Sequence, residues 1–254
     1  MRERIVVRGI VIREVQYGES DKILNILTRE YGLITVSAKR SRNPKNNMLL
    51  ASSALTYGEY ELSGSESTRF YLNSATVTEP FMRIRNDVVL LTYCAHLFDL
   101  VLDSMRDVSS ADEIYRLVLH AIDRLSREGS DPDKIIHTFE LKLLFILGFT
   151  PIIEECCVCG NHCSSLTGEN VFFSFSSCGI VCSSLKCNGK TGDNMKITRA
   201  TLECLRYISA SPIEKVFSYN IEPSSAIQLY DLASKYICER LERCYTKLKM
   251  LEQL

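Results

Sequence analysis

The sequence predicts an α+β multidomain chain: a small N-terminal β-barrel, an α-helical domain after it, and a cysteine-rich, zinc-binding module inserted among the helices. Three observations carry this prediction. Short apolar runs separated by turn residues fill about the first 80 positions, and helical periodicity takes over from Arg85. Seven of the eleven cysteines fall between residues 156 and 187.

The strands come first. Residues 5–12 are rich in Val and Ile, and Gly18 with Glu19, Ser20 and Asp21 makes a turn before a second apolar run at 23–28. Tyr31 and Gly32 open a third run at 33–39. Residues 55–62 and 69–77 follow, separated by Ser63, Gly64 and Ser65, and Glu79-Pro80 closes the region. Five strands in this length suit a small closed or partly open barrel better than a sandwich, which usually needs about seven. The barrel is expected over 1–80 and the helical domain over 81–254, with the inserted module at 154–190.

The helices follow in order. Over 86–105, Val89, Leu90, Tyr93, Leu97, Leu100 and Val101 form one broad stripe. Residues 109–127 repeat the pattern with Ile114, Leu117, Val118, Ala121, Ile122 and Leu125. Asp131-Pro132-Asp133 reads as an N-cap, a proline in the first turn and an acidic start for a helix over 134–147 that stops at Gly148. A last helix is expected over 224–250, with Tyr230, Ile237, Leu241, Cys244 and Leu248 on one face.

The cysteine segment holds one Cys-x2-Cys pair, Cys156 and Cys159, followed by Gly160. Such a pair forms a tight knuckle whose thiolates converge on one ion, and the glycine permits the turn. A strand is expected at 171–175, and Cys182 with Cys187 supplies the second pair; Cys157, Cys163, Cys178 and His162 are the alternatives. The separation of the pairs is that of a zinc ribbon, and an all-thiolate set favours zinc. Four thiolates leave no open coordination position, so the metal is read as structural. Cys94, Cys204, Cys238 and Cys244 sit at helical apolar positions and are expected in the core.

Composition narrows the function classes. The chain has 254 residues, with 30 basic against 31 acidic residues and 46% hydrophobic content. A formal charge of −1 argues against a protein that coats nucleic acid with its whole surface. Charge is uneven, however: residues 1–45 hold ten cations against five anions, and the remainder is acidic. The start of the chain alternates charge with apolar residues and has no continuous apolar core of a signal peptide. No window approaches the ~18 apolar residues of a membrane span, so a cytoplasmic protein with no membrane contact is expected. There a cysteine cluster calls for a metal rather than disulfides.

Catalytic signatures fail. Gly189-Lys190-Thr191 resembles the end of a phosphate-binding loop, but position 184, where that loop needs glycine, is Ser. The four histidines are scattered, and no paired carboxylates stand out. The chain is not expected to be an enzyme. Instead, Lys39, Arg40, Arg42 and Lys45 cluster after the third strand as a basic arm suited to a phosphate backbone. Tyr17, Tyr31, Tyr57, Tyr60, Phe70 and Tyr71 lie in the same region and are candidate base-stacking platforms or barrel core.

Taken together, Tyr17-Gly-Glu-Ser-Asp-Lys-Ile23, then Ala38-Lys39 with its basic loop, then Phe139-Glu-Leu-Lys-Leu-Leu144 and Leu147-Gly-Phe-Thr-Pro151 running into Cys156-x2-Cys159-Gly160, resemble the RecO family of bacterial DNA repair proteins. The likeness spans essentially the whole chain. It implies that the barrel is an OB-fold and that a zinc module sits within the helical domain. It also implies binding of single- and double-stranded DNA, annealing of complementary strands, and cooperation with RecR in loading RecA onto strands covered by single-stranded DNA-binding protein. Arg13, Lys22, Lys39, Arg40, Arg42 and Lys45 are then the candidate DNA contacts, and Cys156, Cys159, Cys182 and Cys187 the metal ligands. Two departures stand out. Arg40 occupies a position where the family usually has glycine, and the second cysteine pair is usually Cys-x2-Cys, whereas position 185 is Leu. An RNA-binding barrel protein and a protein–protein adaptor are the alternative readings.

Overall fold

The structure, a computed structural model, describes residues 4–42, 48–65, 69–105, 111–162, 170–188 and 190–253. Lys45, Cys163 and Gly189 lie outside them. The chain forms two compact units, residues 1–128 with 247–254, and residues 129–246.

The first unit is built on five strands: β1 (Arg4–Tyr17), β2 (Asp21–Thr28), β3 (Gly32–Ala38), β4 (Thr56–Ser63) and β5 (Phe70–Glu79). They close in the order β1-β2-β3-β5-β4, the β4–β1 pairing completing the ring. That order is an OB-fold topology. All neighbours are antiparallel except β3 and β5, which run parallel and share two register pairs, Val36↔Phe70 and Ser37↔Tyr71. β1 serves two neighbours: residues 4–11 pair with β4, and residues 9–17 pair with β2 in a hairpin whose register shifts between Val11 and Arg13. Gly9 and Gly58 face each other where β1 bends; a Cβ on Gly58 would lie 2.4 Å from the Thr76 carbonyl oxygen. A side chain there would force the strands apart.

Alternation fills the barrel. Val7, Val11, Leu24, Ile26, Ile34, Val36, Tyr60, Leu62 and Phe70 form its core. Burying such side chains contributes about 1.5–3 kcal/mol each, and the Tyr60 hydroxyl stays satisfied, 3.1 Å from the Thr56 carbonyl. A one-turn helix, α1 (Met48–Ala51), lies between β3 and β4.

Three further helices complete this unit: α2 (Met82–Arg85), α3 (Val88–Ser104) and α4 (Ala111–Leu125). Asp87 caps α3, accepting from the amides of Val89 and Leu90. α4 buries Ile114, Leu117, Val118, Ala121, Ile122 and Leu125 as its stripe predicts. It packs against β2 and β3, and Arg29 meets Asp112 at 2.6 Å. Arg85 ties the helices to the barrel through the Ala54 carbonyl at 2.5 Å and the Thr56 hydroxyl at 2.7 Å. A terminal 3-10 helix, Leu248–Gln253, packs on α3, where Lys247 pairs with Asp99 at 2.6 Å.

The second unit opens with α5 (Pro132–Ile146), capped by Asp131 as expected. A three-stranded antiparallel sheet follows in the order β7-β6-β8, made of β6 (Asn170–Ser174), β7 (Gly179–Val181) and β8 (Asn194–Thr198), with the short α6 (Leu185–Asn188) after β7. Two helices complete it: α7 (Arg199–Ala210) and α8 (Pro223–Arg240). Lys142 of α5 is buried with its ammonium against the carbonyls of Ile208, Ser209 and Ser211, filling the C-terminal end of α7.

Three expectations change. α8 stops at Arg240 instead of running to 250, because the Arg243 amide turns back to the Cys238 carbonyl and Glu242 adopts a φ of 51°. Cys244, placed in the core by helical spacing, is therefore exposed, whereas Cys94 and Cys204 are buried. α7 was not anticipated at all. Among the described residues no helix is long and apolar enough to cross a membrane.

Candidate nucleic-acid interface and metal centre

The basic turn after β3 is an ordered structure over residues 39–42. The Arg40 amide donates to Asp21 Oδ1 at 2.8 Å, and the Arg42 amide to the Ser20 carbonyl at 3.0 Å. The Arg42 guanidinium also reaches the Glu19 carbonyl at 3.1 Å. Glu19, Ser20 and Asp21 thus hold the turn that carries the cations. Arg40 sits at φ 53°, a left-handed conformation that glycine adopts freely and an L-residue adopts at a cost of roughly 1–2 kcal/mol. That conformation suits glycine and makes arginine here a strained occupant.

Lys39 and Arg40 are exposed, and Lys39 lies over the Tyr71 ring at 5.6 Å. Arg13 is exposed on β1 beside its bulge. Lys22 is not with them. It is 7% exposed, its ammonium 2.5 Å from Glu14 Oε2 and 3.3 Å from the Ser52 carbonyl. Its position was readable in principle, since it shares strand parity with Leu24 and Ile26, both fully buried. Two of the six aromatics, Tyr60 and Phe70, are barrel core, whereas Tyr17 and Tyr31 are exposed.

The second unit brings four cysteines together. The sulfurs of Cys156, Cys159, Cys182 and Cys187 all lie within 4.8 Å of one another, and Cys159 and Cys182 are 3.9 Å apart. A tetrahedral ion with metal–sulfur bonds of about 2.3 Å requires sulfur–sulfur edges of roughly 3.8 Å. The cluster therefore fits such an ion with contractions of an ångström or less. The group could hold a metal ion.

Local geometry explains how. Gly160 at φ 72° donates its amide to the Cys156 carbonyl at 2.8 Å and closes the first knuckle. The irregular second spacing is absorbed by α6: the Cys187 amide donates to the Ser184 carbonyl at 2.9 Å, so one helical turn returns Cys187 to Cys182. Burial raises the Cys156 thiol, but amides of Cys182, Cys159 and Val158 facing its sulfur outweigh that and bring it down to about 7. The Cys187 thiol is pushed up to about 12, first by its hydrogen bond with Cys182.

The described alternatives are outside this group of four. Cys178 takes a φ of 51° and points its sulfur at Arg240, 2.9 Å away, and the Cys157 amide is spent on the Ile180 carbonyl at 2.8 Å. His162 pairs through its backbone with Glu155. Among the histidines, His137 is buried on α5 with Nδ1 2.8 Å from Glu140 and its ring stacked on Tyr230, an arrangement that joins α5 to α8.

Comparison with known proteins agrees with both halves. Models of the N-terminal and C-terminal regions of recombination protein O match residues 1–81 and 85–249. A DNA repair protein RecO of Acetivibrio thermocellus is 35% identical over 246 residues, covering 97% of this chain and 95% of that protein. A namesake from Caldicellulosiruptor saccharolyticus is 30% identical, covering 92% of this chain and 91% of its own. One from Halalkalibacterium halodurans is 27% identical, covering 97% and 93%.

Proposed function

The chain belongs to the RecO family of DNA repair proteins, and from that membership we propose that it is a recombination mediator. In this reading it binds single- and double-stranded DNA, anneals complementary strands, and with RecR helps load RecA onto strands coated by single-stranded DNA-binding protein. The observation that carries the reading is the turn over 39–42, where Lys39, Arg40 and Arg42 are held at one end of β3 by backbone bonds to the β1–β2 turn. Cations fixed on a rigid barrel neutralise phosphates without reading sequence. Two strands so screened repel each other less, and pairing nucleates. Arg13 extends the same charge, as does Lys45 beyond the described residues, while Lys22 serves the interior of the barrel.

No covalent step is needed, so the protein acts as a mediator rather than an enzyme, in the cytoplasm. Cys156, Cys159, Cys182 and Cys187 would hold zinc, a closed-shell ion that ties thiolates together and, with four of them, has no position left for a substrate. Its role is to fold the module.

The test is annealing of complementary oligonucleotides precoated with the cognate single-stranded DNA-binding protein, without ATP. Wild type should accelerate annealing, and Lys39, Arg40, Arg42 and Lys45 changed together to Glu should abolish the acceleration while the protein keeps its fold and metal. No acceleration by well-folded wild type would overturn the reading. Equal binding of RNA in competition would favour an RNA-binding barrel instead.

A further inference from the structure

The seam between β3 and β5 is short. Only Val36 and Ser37 have partners across it, so residues 33–35 carry no strand partner on that side among the described residues. In its place lies a cleft of about 570 Å³ bordered by Tyr31, Leu33, Thr35, Ser65, Arg69 and Phe70. Neither the basic turn nor the cysteine site includes these residues.

Its chemistry is specific. Tyr31 is 40% exposed, yet its backbone is pinned by the Thr28 hydroxyl at 3.1 Å and its ring meets Phe70 edge-on at 6.3 Å. It is an open aromatic face on a rigid mount. Arg69 is exposed and its guanidinium has no hydrogen-bond or ion-pair partner among the described residues. Its backbone is held at φ 152°, outside the range an arginine prefers, and strain of this kind collects at binding sites.

A flat ring and a guanidinium with no partner among the described residues match an unstacked base. An added peptide strand fits less well, since a three-residue edge supplies only one or two ladder bonds and has no use for the guanidinium. We propose that this cleft takes one unstacked base of a single DNA strand, stacked on Tyr31 beside Arg69. The proposal rests on the DNA-binding reading above. It makes the barrel sensitive to strand state, because a duplex keeps its bases stacked inside and offers the cleft none.

The experiment is fluorescence anisotropy on the full chain with a short single strand and an abasic strand of the same length and charge. Wild type should bind the base-bearing strand about tenfold more tightly, the usual size of one stacking contact. Tyr31→Ala should bring it to the abasic level and Tyr31→Phe should restore the preference. Arg69→Gly, which suits φ 152° and leaves the core untouched, should also reduce it. Equal affinity of wild type for the two strands would overturn the proposal, as would a preference that survives in both Tyr31→Ala and Arg69→Gly. A mononucleotide displacing the strand at equal concentration would assign the cleft to free nucleotides and overturn it too. Binding to neither strand would sink the DNA reading itself, and the cleft with it.

Discussion

The barrel and the cysteine module both bring like-charged groups close together, but by opposite physical means. The barrel closes on its own side chains: Ile26, Leu24, Tyr60 and Leu62 are fully buried, and the cations of the 39–42 turn are displayed on a frame that does not need them. The module buries Phe173, Phe175 and Ile180 in and beside its sheet, but its cysteine cluster has little apolar cover of its own. Around its sulfurs stand Val181 and three partly buried neighbours, Cys157, Val158 and Phe172. In the barrel the charges stand on a core that other side chains make. At the cysteine cluster four sulfurs take the place of apolar side chains, and the group could hold a metal ion that ties them together.

The strongest way to break this contrast is Cys182→Ser. Thiolate–metal sites of this size supply on the order of 10 kcal/mol of folding free energy. The variant should lose its metal and the hydrogen-exchange protection of residues 156–187, while barrel amides stay protected. Lowering the pH should act in the same direction. Each thiol that must ionise before binding contributes about tenfold per pH unit. The raised Cys187 thiol keeps affinity climbing with pH, and below about 7 the Cys156 thiol adds to the loss. Metal content across a pH series measures this.

Next in size is Leu24→Ala, which leaves a void in the barrel and should cost about 2–5 kcal/mol. Denaturant unfolding should show the loss with metal content unchanged. Lys22→Met removes a buried ammonium from Glu14 and Ser52, and should cost about 1–3 kcal/mol. It should leave DNA affinity intact at temperatures where the protein is folded, which separates Lys22 from Lys39. The smallest effect is Arg40→Gly. It relieves the left-handed strain and should stabilise by about 0.5–1 kcal/mol, while reducing the salt dependence of single-strand binding by about 0.7.

Much of this was legible in the sequence, and the failures have causes. The Asp131 cap and the apolar stripe of α4 are local signals and read true. β1 runs to Tyr17, well past the expected end at residue 12, because beyond the bulge residues 13–17 pair with β2 alone and are all exposed, so no buried apolar face marks them. α8 was overextended because Cys244 and Leu248 keep the helical period across a reversal of the backbone. α7 carried readable signals, Thr198 as its cap and Leu202, Leu205 and Ile208 on one face, which the cysteines upstream overshadowed. At the sites, the structure brings the two cysteine pairs expected from spacing within 4.8 Å of one another, the irregular pair included. Lys22 was grouped with the other cations by sequence proximity alone. Arg69 escaped because nothing local marks a strand's flanking residue as the rim of a cleft.

The division of labour is tested most directly by measuring single-strand DNA affinity against salt for wild type, for Lys39, Arg40 and Arg42 changed together to Ala, and for Cys182→Ser. If the turn holds the phosphates, the triple variant should lose about 2 from the slope of log affinity on log salt, three cations at ~0.7 each. Cys182→Ser should keep the wild-type slope. An unchanged slope in the triple variant, with the slope collapsing in Cys182→Ser, would place the DNA on the module and contradict the account.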